Sequence, residues 1–240
     1  MTTAHLNKKC GLTVVIPAFN EEGNIQQVVQ DTYRSLPQYF ADYEIIVVND
    51  GSTDSTGSIA DELAKENDQI KVIHQSNGGY GVALVAGINL ATKEFVAYVP
   101  ADGQFLVDDM RHCFELIGNN DLILGYRGGR SDYTLGRILL SYGYLTLLTL
   151  MYGLRYMDLG WVHIWRVEKL KQLSLKGTRG IFILTEIVIL FQRLGWKIVE
   201  GPSYYHPRLS GKAKNARASV VLDTMFNTVR LWLKIKRGKI

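Results

Sequence analysis

Cysteine is nearly absent from this chain: only Cys10 and Cys113 occur, far apart and without the spacing of metal ligands. That argues against a disulfide framework or a thiolate zinc site and fits reduced thiols in a cytosolic setting, one in a loop and one on a helix. The first nine residues are polar and contain no apolar core of a leader, so no secretory signal is expected. Residues 138–154 are apolar but fall short of the about 20 residues that cross a bilayer. Ser141, Tyr142, Tyr144, Thr146 and Thr149 dilute the run, which reads as an interfacial helix or a core helix bracketed by Arg137 and Arg155. Gly79-x-Gly81 lacks the third glycine of a dinucleotide fingerprint, which excludes an NAD site of that type. Acid is scarce from His206 onward, where Asp223 alone faces nine lysines and arginines. Such an end implies an anionic partner, but no aromatic stacking platform accompanies the cations, so nucleic acid is not expected.

What is present is a chain of 240 residues, 47% hydrophobic, with a net charge of +4. That length and composition suit one α/β domain. Thr13-Val14-Val15-Ile16 reads as a strand stopped by Pro17, and Asn20-Glu21-Glu22 as the acidic opening of an amphipathic helix. Residues 43–48 form a second strand. Asn49 to Asp54 turn into a helix ending near Glu66, with Ser52 or Asp54 as its N-cap. A third strand at 70–74 leads through Gln75-Ser76-Asn77-Gly78-Gly79-Tyr80-Gly81 into a helix ending at Leu90. A fourth at 95–99 runs into Pro100 and is followed by a helix over 107–117. Alternation of this kind predicts a parallel sheet with helices on both faces.

The stretch after the fourth strand, Pro100-Ala101-Asp102-Gly103-Gln104, carries the chemistry. In open α/β sheets ligands bind beyond the carboxyl ends of the strands, so Asp102 and Gln104 project where a substrate sits. Their oxygens are hard ligands suited to Mg²⁺ or Mn²⁺, in sites that also use substrate phosphates. Asp50 occupies the same kind of strand end one unit earlier. Asp-Gly-Gln is also ordinary turn composition, and it is the repetition at Asp50 that favours a site.

Four motifs in order, Val14-Val15-Ile16-Pro17-Ala18-Phe19-Asn20-Glu21-Glu22, Ile46-Val47-Val48-Asn49-Asp50-Gly51-Ser52-Thr53-Asp54, residues 77–81 and Ala101-Asp102-Gly103-Gln104, resemble those of family 2 glycosyltransferases with the GT-A fold. The second half is similar to the branch that includes dolichol-phosphate mannose synthase and other polyprenyl-phosphate glycosyltransferases. The resemblance implies one GT-A-like domain over 1–240: a nucleotide-sugar-binding half at about 10–118, an acceptor half at about 119–214 and a basic amphipathic helix at about 215–240. It implies inverting transfer from a UDP- or GDP-sugar, with a divalent cation on the diphosphate. Pro17, Phe19 and Glu21 would line the base and ribose pocket, with Gly79 nearby, and Asp50 would bond the base. Asp102 and Gln104 would hold the metal. Two departures stand out: Asn49 and Pro100 occupy positions where the family usually has Asp, and the second leaves open a non-catalytic nucleotide-sugar-binding module.

In the second half, 121–124 reads as a strand and Gly125 to Arg130 as a flexible basic turn. Arg127 and Arg130 would grip phosphate, since a guanidinium fork matches phosphate oxygens. Arg137 and Ser141, four apart and so on one helix face, match the arginine and serine that the branch uses on the acceptor phosphate. Asp158 would orient neighbouring arginines, and His163 reads as a structural histidine. Where relatives acting on sugar hydroxyls resemble one another in a Glu-Asp pair, this chain has Glu186-Ile187. A hydroxyl acceptor needs a base and a phosphate does not, which tilts the acceptor toward a lipid phosphate while Glu186 keeps a hydroxyl acceptor open. Residues 196–200 and 203–206 read as two late strands. Arg208, Lys212 and Lys214 resemble the basic loop that closes over the diphosphate. Beyond them, apolar residues at helical spacing from Leu222 to Leu233 alternate with Arg230, Lys234 and Lys236, as suits a core helix or an anionic membrane surface. A peripheral location at the cytoplasmic face of a membrane follows from that second reading.

Overall fold

The computed structural model describes residues 10–103, 105–128, 135–204 and 218–238, with the side chains of 137, 218 and 219 outside that description. Seven strands form one sheet in the order β3-β2-β1-β4-β6-β5-β7. They are β1 (Leu12–Ala18), β2 (Tyr43–Asn49), β3 (Ile70–His74), β4 (Phe95–Tyr98), β5 (Leu122–Arg127), β6 (Val162–Arg166) and β7 (Ile198–Ser203). All neighbours run parallel except β6, which is antiparallel to both β4 and β5. Every residue of β1 is buried, as expected of a β-branched strand covered on both faces.

Helices α1 (Ile25–Ser35), α2 (Thr56–Glu66), α3 (Tyr80–Leu90) and α4 (Arg111–Glu115) follow the first four strands. Helices α5 (Leu135–Tyr152), α6 (Val167–Lys171), α7 (Phe182–Arg193) and α8 (Ala218–Lys236) complete the chain. The apolar side of α1, at Ile25, Val28, Val29 and Thr32, is buried. Helix α3 comes unusually close to the sheet through Gly87, where a Cβ would stand 2.3 Å from Val15 Cγ1 and 3.2 Å from Val48 Cγ2.

Several expectations need correction. β1 does not stop at Pro17 but continues to Ala18, with Pro17 opposite Val48. Carbonyls of Val15 and Ala18 accept from Val99 and Asp50 respectively, so successive residues of β1 turn their polar groups alternately to β4 and β2. The N–H that proline lacks would therefore face the β4 side, where the ladder has ended with Tyr98 opposite Val15. Glu21 and Glu22 precede α1 rather than forming its first turn, and the Glu21 carbonyl accepts from Asn24 and Ile25. The N-cap of α2 is Ser55, though Asp54 Oδ1 accepts from the Thr56 N–H at 3.0 Å. The helix expected at 107–117 is a 3₁₀ turn at Val107–Met110 followed by the short α4. Gly125 to Arg127 belong to β5, paired with Gly201 to Ser203, and not to a turn. The first late strand is β7, which begins at Ile198 rather than 196 and runs on to Ser203 as the parallel partner of β5; of the second, Tyr204 lies beyond β7, and residues 205 and 206 lie outside the described residues.

Candidate active site

A cavity of about 340 Å³ opens at the carboxyl ends of β1, β2, β3 and β4. Pro17, Phe19, Glu21, Asp50, Gly79 and Asp102 all line it, together with Pro100. Two polar turns are stitched together to form its β1–β2 rim. Asn20, held at φ +52°, donates its N–H to Ser52 Oγ at 3.0 Å, and its Oδ1 accepts from the Thr53 N–H at 2.9 Å. The Glu21 N–H reaches Thr56 Oγ1 at 2.8 Å, and Glu22 Oε2 accepts from the Ser55 N–H at 3.0 Å. Side chains that looked like separate strand-end motifs thus brace each other, which fixes where Phe19 and Glu21 stand.

Asp50 is 2% exposed and forms the floor beyond β2. Its Oδ1 accepts from Gln75 Nε2 at 2.7 Å and the Gly78 N–H at 2.9 Å, and its Oδ2 from the Gly79 N–H at 2.8 Å. A carboxylate offers about four acceptor positions, so these three leave one to turn toward a ligand. Gly79 sits at φ +88°, which lets two consecutive N–H groups aim at one carboxylate. Asn49 next to it is held by His74, with Nδ2 2.9 Å from His74 Nδ1, while its Oδ1 accepts from the Ser52 N–H at 3.1 Å.

Asp102 is presented by a tight turn in which the Gly103 N–H donates to the Pro100 carbonyl at 3.3 Å, with Gly103 at φ +69°. Tyr80 and Tyr98 stand near it, edge to face with centroids 6.2 Å apart. Burial raises both phenol pKa values, and the negative charge of Asp102 adds to the effect, so both remain O–H donors. Tyr98 donates to the Trp161 carbonyl. Hard oxygen at Asp102 fits Mg²⁺ or Mn²⁺ with phosphate and water oxygens completing the shell, since such ions are commonly held by one or two carboxylates. Pro100 supplies no ligand, and among the described residues no cluster of three His, Cys, Asp or Glu side chains forms.

Arg127 lies behind this cavity rather than in its lining. Its Nε and Nη2 donate to Asp158 Oδ2 and Oδ1 at 2.7 and 3.1 Å, and its guanidinium sits 4.6 Å from the ring centre of Trp161, a cavity residue. Ser141 is half-buried on α5 and does not line the cavity. Gln104, Arg130, Arg208, Lys212, Lys214 and the side chain of Arg137 lie outside the described residues. His163 is fully buried, and burial above all depresses its pKa to about 4. Its Nε2 is 3.3 Å from the Leu159 carbonyl while Nδ1 meets no hydrogen-bond partner among the described residues, so its ring is only half satisfied. Glu186 is half-buried on α7, outside the cavity lining. Burial raises its carboxyl and Lys234 of α8 partly offsets this.

Sequence reasoning missed Tyr80, Tyr98, Trp161 and Arg179, all of which line the cavity. Tyr98 was hidden inside an apolar strand. Only its position next to Asp102 could have pointed to it.

The model of the family described as "Glycosyl transferase family 2" matches residues 13–165. The chain is 29% identical over 245 residues to a dolichyl-phosphate beta-glucosyltransferase of Trichomonas vaginalis, covering 92% of this chain and 75% of that protein. It is 27% identical over 226 residues to a polyprenol monophosphomannose synthase of Mycolicibacterium smegmatis, covering 89% and 83%. An uncharacterized glycosyltransferase of Bacillus subtilis is 37% identical over 91 residues, which cover 38% of this chain and only 26% of that protein. Among solved structures, glucosyl-3-phosphoglycerate synthase from Mycobacterium tuberculosis, in complex with Mn²⁺, UDP and glucosyl-3-phosphoglycerate, has the same fold. Its TM-score is 0.72 at 19% identity, over 96% of this chain and 84% of that one. The sheet order and this likeness make the fold GT-A-like. With the family model spanning more than half of its length, the chain belongs to glycosyltransferase family 2 and is a glycosyltransferase.

Proposed function

We propose that the protein transfers one sugar, with inversion, from a nucleoside-diphosphate sugar to a polyprenyl phosphate at a membrane surface. The observation that carries the donor half is the meeting of Pro17, Phe19, Glu21, Asp50 and Asp102 in one cavity at the strand ends. The ribose and base lie between Phe19, Glu21 and Asp50, and the diphosphate runs toward Asp102. Asp102 and Gln104 would hold a divalent cation, which would supply charge neutralisation for the leaving diphosphate. Arg127, held by Asp158, would act on the acceptor phosphate together with Arg130, Arg137 and Ser141, and Arg208, Lys212 and Lys214 would bind the diphosphate.

In the reaction an oxygen of the acceptor phosphate attacks the anomeric carbon from the face opposite the diphosphate. The bond to the diphosphate breaks and its oxygen keeps the electron pair. The acceptor arrives as an anion, so no side chain has to remove a proton. Fully buried Ile187, and a Glu186 turned toward α8 rather than into the cavity, support that choice over a hydroxyl acceptor.

Support for a lipid acceptor also comes from the names of the two relatives and from α5 and α8. Leu139, Leu140, Tyr142 and Leu150 on α5 and Leu222, Phe226 and Val229 on α8 are exposed. The two helices touch through Tyr144 and Thr228, whose hydroxyls are 3.0 Å apart. Arg230, Lys234 and Lys236 are exposed on α8, an arrangement suited to anionic headgroups. No helix among the described residues is long and apolar enough to cross a membrane.

The test is a transfer assay with UDP- and GDP-sugars and Mn²⁺, run in parallel with polyprenyl phosphate and with sugar or small-molecule hydroxyl acceptors. Sugar appearing on the lipid phosphate supports the proposal. Transfer to hydroxyl acceptors alone, or no nucleotide release with any acceptor, contradicts it.

A further inference from the structure

Arg179 is the one basic side chain among the described residues that line the cavity. It sits on the loop between α6 and α7, and its main chain packs against the turn that enters α3. A Cβ at Gly79 would stand 2.4 Å from the Arg179 carbonyl oxygen and 2.7 Å from its Cα, and a Cβ at Gly81 2.3 Å from the Thr178 carbonyl oxygen. Gly79 is also the residue whose N–H bonds Asp50 Oδ2. Arg179 therefore packs its main chain on the residue whose N–H holds the Asp50 carboxylate. Its side chain is exposed and its Nη2 donates to Asn77 Oδ1 at 3.2 Å, in the turn after β3. Asp102 follows β4, two strands from β2 across β1 and so about 10 Å away along the sheet edge.

We propose that Arg179 is a specificity-determining residue that, paired with Asp50, reads the nucleobase of the donor. This rests on the nucleotide-sugar reading above and deepens it. The guanidinium can only donate, and the Asp50 carboxylate can only accept. A donor beside an acceptor is matched by a carbonyl next to a ring N–H, as uracil presents at O4 and N3 and guanine at O6 and N1. Cytosine and adenine present the reverse, an amino group next to a bare ring nitrogen. Those bases would set donor against donor at Arg179 and acceptor against acceptor at Asp50, which is 2% exposed, so that its unpaired oxygen would be costly. The pair thus accepts keto bases and rejects amino bases without distinguishing uracil from guanine. A diphosphate grip would instead call for a cation at the Asp102 end.

The experiment is calorimetric titration of the full chain with UDP, GDP, CDP and ADP in Mn²⁺, for the wild type, R179A and R179K. The wild type should prefer UDP and GDP, and both variants should lose roughly ten- to a hundredfold in affinity for those two while their binding of CDP and ADP hardly moves. Lysine keeps the charge but not the fork, so R179K separates base reading from phosphate attraction. Equal binding of UDP and GDP by wild type and R179A overturns the inference, as does a loss in R179A that is the same for all four nucleotides. A wild type that binds CDP and ADP as tightly as UDP and GDP overturns it too but leaves the donor reading standing. If the wild type binds none of the four, the donor reading falls and the inference with it. Melting temperatures of both variants within a degree or so of wild type confirm that the folded state is unchanged.

Discussion

Asp158 shows how one residue can serve stability and site together. It takes two hydrogen bonds from Arg127 and one from the Gly160 N–H at 3.2 Å, and the side chains of the ion pair are only 9% and 5% exposed. Truncating one partner of such a pair strands the other charge, at a cost of roughly 3–5 kcal/mol. D158A should therefore lower the melting temperature by roughly 10 °C, read by thermal denaturation, and should slow transfer as well. A shift of under 2 °C would mean that water replaces the carboxylate easily. Asp102 predicts the opposite pattern, because it stands on a surface turn rather than in the core. D102N should melt like the wild type while losing on the order of 10²-fold in kcat/KM in the transfer assay. At this scale the strand-end carboxylates were legible in the sequence because the same placement recurs at Asp50 and Asp102, whereas either one alone is ordinary turn composition. Arg179 was not legible, since only the folded chain brings the loop before α7 against Gly79.

Among the elements, the contact of α3 with the sheet depends on Gly87. An alanine there would gain helix propensity of about 1 kcal/mol but would push into Val15 and Val48, and overpacking a filled core costs roughly 1–3 kcal/mol. G87V adds bulk and β-branching without the propensity gain. It should be clearly destabilised, by more than G87A, in urea denaturation at unchanged slope. A G87V as stable as wild type would mean that α3 can lift off the sheet freely. The four strand-and-helix units were legible from their apolar runs and turn residues, but boundaries were not. Pro17 looked like a stop because sequence alone does not say which neighbour each N–H faces. Gly125 to Arg127 looked like a turn because glycine disfavours a strand and more glycines follow at 128 and 129, yet β7 supplies a partner along their whole length. The strand expected to end at Glu200 ran longer for the same reason: Gly201 and Pro202 read as a break until pairing with β5 carries the chain through them to Ser203.

For the molecule as a whole, a buried network centred on Glu44 of β2 joins the strands at the end of the sheet opposite the cavity. Its Oε1 accepts from Thr13 Oγ1 and from the N–H and Oγ1 of Thr92, and its Oε2 from Lys71 Nζ at 2.7 Å. Burial pushes this carboxyl up, but the bonds from Lys71, Thr92 and Thr13 outweigh it and hold the pKa at about 2, below its ordinary 4.5. The folded-state value lies below the unfolded one, so its stabilisation is full above about pH 4.5 and is lost as the pH falls toward 2. The shift corresponds to about 3 kcal/mol. E44Q should be less stable than wild type at pH 7, and the gap should narrow steadily in melts between pH 5 and pH 3. A gap that stays constant over that range would remove Glu44 from the acid response.

Two acidic strand ends divide the work in the proposed donor site: Asp50 meets the base, and Asp102 would hold the cation on the diphosphate. The direct measurement is calorimetry of UDP and GDP binding with Mn²⁺ and with EDTA, in wild type and in D102N. Metal should raise the wild-type affinity for at least one nucleotide by tenfold or more and should leave D102N nearly unchanged. Equal metal dependence in the two proteins, or nucleotide binding that ignores metal in both, would contradict it.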